Sequence, residues 1–158
     1  MLQPTPLQTT YTRYQPVAQN GMLADMVNWD ADSRIVETAA GIGFGLAVSQ
    51  GTNDDGCVIG GAAPVGVTCG DATLPQAVGL TTDKYSQYDV AGVLTKGDIW
   101  VNCYASVTPA TAVVFEAATG KFGIAGTTYP SARWMTTAVG SSGTPVLAVL
   151  RVASIATK

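Results

Sequence analysis

From Met22 onward the apolar positions come in short runs, broken by Gly, Asn, Asp or Pro at intervals that suit strands joined by turns. Ser33–Thr38 and Phe44–Val48 read as the first two strands, linked by Ala40-Gly41-Ile42-Gly43. Asn53-Asp54-Asp55-Gly56 is a turn cluster. Two short β-like pieces flank Gly60-Gly61 between Cys57 and Cys69, and another strand is expected through Val78–Thr81. The clearest strand is Gly97–Val107. Ile99, Val101, Cys103, Ala105 and Val107 share one face, while Trp100, Asn102, Tyr104 and Ser106 share the other. The first face belongs in a core. The second mixes two large aromatics with polar residues, as an interface or a second layer does.

Val113–Ala117 and Lys121–Ile124 are expected to form a hairpin over Ala118-Thr119-Gly120. The final strand is expected at Val146–Ala153, after the loop Gly140–Gly143. No long stretch keeps a period of 3.6 with capping residues. The best helix candidate is one short turn near Tyr85–Tyr88. The pattern therefore predicts an all-β fold, a compact β-barrel or β-sandwich of short strands, with an extended arm before it.

The arm spans residues 1–21, and a single domain follows over residues 22–158. Pro4, Pro6 and Pro16 bar a regular helix or a central strand. Leu7, Tyr11 and Tyr14 offer contact area on an otherwise polar segment, so the arm is expected to lie on a neighbouring molecule.

Composition sharpens this picture. Of the 158 residues, 47% are hydrophobic and only 12% are charged, against roughly 25% charged in an average protein. The mean hydropathy is +0.24. Such a chain is not of the disordered class, and its low charge leaves its surface poorly protected from association. It suits a β-rich domain that hides surface against other subunits. The net charge is −3, and the eight Lys and Arg residues are scattered singly from Arg13 to Lys158, so direct binding to nucleic acid is not expected. No apolar run is long enough to cross a bilayer as a helix. The opening Met1-Leu2-Gln3-Pro4 lacks the basic start and apolar run of a signal peptide, which predicts synthesis and retention in the cytoplasm.

Candidate chemistry is sparse. There is no histidine, the commonest general base and metal ligand. Gly41-Ile42-Gly43-Phe44-Gly45 resembles a fragment of a phosphate loop, but no helical pattern follows it, and strand-and-turn glycine explains it better. Asp30-x-Asp32 and Asp54-Asp55 lack the glycine and terminal glutamate of a calcium loop and read as acidic turn residues. Cys57, Cys69 and Cys103 form no CxxC. They read as buried small hydrophobes, with a Cys57–Cys69 disulfide as the alternative. No catalytic residue, metal site or cofactor is expected. Trp100, Tyr104, Arg133 and Trp134 join the arm residues as interface candidates, with ordinary packing roles as the alternative.

Several segments, taken in order, carry a resemblance. They are Ser33-Arg34-x-x-Glu37, Ile42-Gly43-Phe44-Gly45-x-Ala47-Val48-x-x-Gly51-Thr52, Gly56-Cys57, and Tyr88 through Val101 with Lys96-Gly97-Asp98-Ile99-Trp100 at its end. Thr119-Gly120-Lys121-Phe122, Ala132-Arg133-Trp134-Met135-Thr136 and Leu147–Val152 complete the set. In joint order and spacing they resemble the structural cement proteins of tailed bacteriophages. The chain departs from that pattern at Thr108–Thr111 and Pro130-Ser131, both turn positions.

The resemblance implies a non-enzymatic virion protein, made in the host cytoplasm and bound to the outer surface of the capsid at junctions between major capsid proteins. It also implies self-association, a homotrimer by preference or else a dimer. Two other readings stand beside it. One is a different virion part, such as a head–tail completion or tail protein. The other is a carbohydrate-binding β-sandwich, motivated by Trp100 and Tyr104 on one strand face.

Overall fold

The structure is a computed structural model that describes residues 18–71 and 84–153. The expected arm contacts of Leu7, Tyr11 and Tyr14 and the expected strand at Val78–Thr81 lie outside the described residues.

Strands are the only regular elements among the described residues. In chain order they are β1 (Leu23–Val36), β2 (Ile42–Gly43), β3 (Ala47–Gln50), β4 (Gly56–Ile59), β5 (Pro64–Thr68), β6 (Lys84–Tyr85) and β7 (Val90–Cys103). There follow β8 (Ser106–Val107), β9 (Val114–Phe115), β10 (Thr127–Thr128), β11 (Ala132–Trp134), β12 (Ala138–Val139) and β13 (Val146–Val152). The fold is all-β, as the pattern predicts.

Seven strands form one mixed sheet in the order β1-β4-β3-β5-β7-β13-β11, and β1 also pairs with β7. That last pairing closes β1, β4, β3, β5 and β7 into a ring. β13 and β11 extend from it along the second half of β7. Only the β1–β4 pair within this sheet is parallel.

Two hydrophobic clusters hold the sheet, one on each face. Val48 and Val93 belong to one, with Val36, Ile42, Cys57, Tyr85 and Ala91. Their sequence neighbours Ala47 and Leu94 belong to the other, with Val67, Ile99, Val101, Cys103 and Leu150. Adjacent residues of one strand thus point into different cores, which is why the chain shows continuous apolar runs here rather than clean alternation. The second cluster also contains an edge-to-face aromatic chain, Tyr129–Phe115–Phe122–Trp134, with each pair of ring centroids 6.2 Å apart.

Several expectations are revised. The strand placed at Ser33 begins ten residues earlier, at Leu23. β1 and β7 are each 14 residues long, so the strands are not uniformly short. The strand expected through Val107 breaks after Cys103, where Tyr104 and Ala105 make a bend. The hairpin over Ala118–Gly120 is reduced to a Phe115–Phe122 bridge, because β9 pairs instead with β10. The helical turn at Tyr85–Tyr88 is a plain turn, with Tyr88 at φ 69°. All three cysteines are free thiols. Cys57 sits in one core cluster, and Cys69 packs against the other.

Candidate functional site

β7 changes character along its length. From Gly97 to Cys103 it alternates strictly. Ile99, Val101 and Cys103 are fully buried, while Asp98, Trp100 and Asn102 point the other way and are partly exposed. The register with β13 sets Trp100 directly across from Val149, Asn102 across from Leu147, and Asp98 across from Arg151. β11 adds Arg133 across from Arg151. Cross-strand partners share a face. One outer face therefore carries the partly exposed Trp100, Leu147 and Asn102, with Val149 buried beside them at 8% exposure, and Asp98, Arg151 and Arg133 along one side.

The rim is ordered by one ion pair. Arg151 Nε and Nη2 each donate to an Asp98 carboxylate oxygen at 2.7 Å, a two-pronged geometry that only a guanidinium gives. Those hydrogen bonds and the charges of Asp98 and Asp25 hold the Arg151 pKa above its ordinary value, so this cation stays charged. Arg133 is exposed beside it.

The other edge of β7 anchors the start of the domain. Gly21 N donates to Trp100 O at 2.7 Å, and Trp100 N donates to Met22 O at 2.8 Å. Asn102 N donates to Asn20 Oδ1 at 2.9 Å. Ala18, the first described residue, is 4% exposed. Residues 20–22 are thus tied to the Trp100 strand.

The remaining sequence candidates scatter. Trp134 follows Arg133 but faces the opposite side, at 1% exposure, edge-on to Phe122. It fills the core and is not available at the surface of this chain. Tyr104 lies on the bend after β7, and Lys121 Nζ stands 5.1 Å from its ring centroid. Tyr104 thus lies on the bend and not on the strand that carries Trp100.

A second surface feature escaped the sequence pattern. Met26 and Val27 are 75% and 76% exposed, and Trp29 is 44% exposed. They lie in the first half of β1, at positions left unassigned when the first strand was placed at Ser33. The available signal was Asp25-Met26-Val27-Asn28-Trp29-Asp30, three large apolar residues interleaved with turn-forming acids and an amide.

Among the described residues no group of three His, Cys, Asp or Glu could hold a metal ion. Asp54 and Asp55 sit on a turn that Glu37 clamps, its carboxylate accepting from Thr52 N at 2.7 Å and from Asn53 N at 2.9 Å. The backbone bonds from Asn53 and Thr52 hold the Glu37 pKa below its usual range. Burial pushes the Cys69 thiol up to about 11, away from nucleophilic use.

The family model described as structural cement protein (E217 gp24/Pam3 gp6) matches residues 7–152. Among solved structures, a chain of "The capsid of Myoviridae Phage XM1" is similar, with a TM-score of 0.64 at 14% identity, over 93% of this chain and 97% of that one. At that identity the likeness concerns the fold. None of the curated proteins compared with this chain matches it.

Proposed function

The chain belongs to the structural cement protein family, and from that premise we propose that it binds the outer surface of the expanded phage capsid at junctions between major capsid proteins and stabilises the head against the pressure of packaged DNA. The observation that carries this reading is the family match over residues 7–152. The partly exposed face around Trp100 supports it, because an indole beside an ordered charged rim is the make-up of a contact surface rather than of a reaction site. No catalytic role is assigned to any residue.

The mechanism is mass action. A protein that binds the expanded shell, and not the unexpanded one, stabilises the expanded state by its binding free energy. Repeated over many sites, a modest energy per copy resists internal pressure. Apolar and backbone contacts carry most of it, since an exposed ion pair contributes only about 0–1 kcal/mol. Residues 1–21 act as an arm that lies on a neighbour, rooted beside Trp100, and residues 22–158 act as one domain. A homotrimer on a three-fold junction touches the most capsid subunits for its size and is the preferred assembly, with a dimer as the alternative.

The test is to add the purified chain to expanded and unexpanded heads that lack it. Binding is expected to the expanded heads alone, in hundreds of copies, with heads that then burst at a higher temperature. Failure to bind expanded heads would sink the reading. A count of about six to twelve copies per virion would instead mark a connector or tail part.

A further inference from the structure

Between Asp25 and Asp30, β1 leaves its register. Asp25 lies across from Asp98 and Asp30 across from Lys96, so Met26, Val27, Asn28 and Trp29 stand opposite the single residue Gly97. An ordinary bulge inserts one extra residue; this one inserts three.

The loop is held in shape from both strands. Val27 N donates to Asp25 Oδ1 at 2.9 Å, Lys96 Nζ donates to Asn28 Oδ1 at 3.0 Å, and Thr95 Oγ1 donates to Asp30 O at 3.2 Å. Asn28 takes the left-handed conformation at φ 58°, which asparagine tolerates better than most residues. Gly97 has φ +130°, and a Cβ there would stand 2.9 Å from Trp29 Cβ. A set of polar contacts thus fixes a loop whose Met26 and Val27 side chains are about three-quarters in water, at 75% and 76% exposure. Large apolar groups fixed in that way lose little entropy when they are covered.

We propose that Met26–Trp29 is a preformed apolar plug that seats in an apolar hollow of the capsid shell. The proposal rests on the capsid-binding reading given above and names the residues that would make the contact. Two observations favour the shell as occupant. Four partly exposed side chains fall short of the roughly 800 Å² per partner that a stable complex buries. Alone they do not suffice to hold a second copy; they suit one contact among several, as on a shell that also grips the chain elsewhere. In addition, the groove of ≈360 Å³ at the foot of the plug is lined by Lys96 and Arg151 but also by Asp25 and Asp98. Its charges balance, so it offers no field to a charged partner, and the recognition falls to the apolar tip.

The test uses the full chain and expanded heads that lack it, with binding followed by cosedimentation across concentration. Met26→Asp and Val27→Asp are expected to bind at least tenfold more weakly. Val139→Asp, at a residue 77% exposed on β12, is expected to bind like the wild type. Melting temperatures should barely move, since both plug residues face water. Should an aspartate variant melt early, Val27→Thr replaces it as a near-isosteric change and should still weaken binding several-fold. Unchanged binding by the plug variants, with wild type bound, would overturn the plug and leave the cement reading intact. If the wild type itself fails to bind, the cement reading falls and the plug with it. If sedimentation velocity shows that the plug variants lose self-association first, the occupant is a second copy and the proposal is wrong.

Discussion

β1 and β7 have the same length and lie side by side, yet they are spent differently. β7 is core-forming throughout, with Ala91, Val93, Leu94, Ile99, Val101 and Cys103 all fully buried. β1 is buried only at its end, at Val36, and its first half is almost entirely exposed. β7 also divides within itself. Around Val93 and Leu94 both faces are covered by the two clusters, whereas from Gly97 onward one face is only partly covered. Burial on both faces fixes a strand by packing alone. A partly covered face or a projecting half-strand must be fixed by hydrogen bonds and ion pairs, and those occur where they are needed, at Asp98–Arg151, Lys96–Asn28 and Asp25–Val27.

The sharpest break of this comparison pairs two tryptophans on opposite faces. Trp134→Ala should cost about 3–5 kcal/mol of folding stability, because the indole is wholly buried among aromatic rings. Trp100→Ala should cost less than half as much and should instead abolish capture by expanded heads. Chemical denaturation and head binding, measured on both variants, separate the roles. A Trp100→Ala protein as destabilised as Trp134→Ala would mean that the partly covered face is a second core.

Gly97→Ala strikes the junction between the two strands. It forces an L side chain into φ +130° and against Trp29 Cβ. The expected cost is about 1–3 kcal/mol, readable as a lower urea midpoint with an unchanged slope. A neutral result would show that the bulge is free to shift.

How much of this was legible beforehand follows from the same contrast. The alternation from Ile99 to Cys103 was readable because one side is core and the other is not. The all-β class followed from the turn spacing, and β13 was placed to within a residue of its end at Val152. The ring closure was not readable, since strands buried on both faces, as at Ala47-Val48 and Val93-Leu94, lose their period. The first half of β1 was missed for the opposite reason. Met26, Val27 and Trp29 are apolar but bury nothing in this chain, so hydrophobicity there does not report the core. Within the candidate site, Trp100, Arg133 and Trp134 were all named as interface candidates; the fold puts the first two on one outer face and, by the alternation of β11, Trp134 in the core.

The smallest expected effect concerns the turn that Glu37 clamps. Gly56 has no Cβ because the Glu37 carboxylate occupies that space. The Glu37 pKa is lowered in the fold, first by the backbone bond from Asn53, relative to an ordinary value of 4.5. A depressed carboxylate pKa adds stability above its unfolded value, and that stability is lost as the pH falls through the folded value. Thermal melts of the wild type should therefore drop as the pH falls below about 4.5. Glu37→Gln should lower the neutral-pH melting temperature slightly and flatten that acid slope. An identical slope in the variant would remove Glu37 from the account.

Closure of the ring has a consequence for solubility in a crowded cell. A sheet rich in valine and poor in charge is a template for edge-to-edge polymerisation wherever a strand lacks a neighbour. Here β1 is paired on both sides, with β4 and β7, and the sheet ends at β11, a strand of three residues. That short end is preceded by Pro130 and carries the exposed Arg133 at its centre, two of the devices by which natural sheets blunt an edge. These features limit edge-to-edge pairing between copies of a chain in which only 12% of the residues are charged.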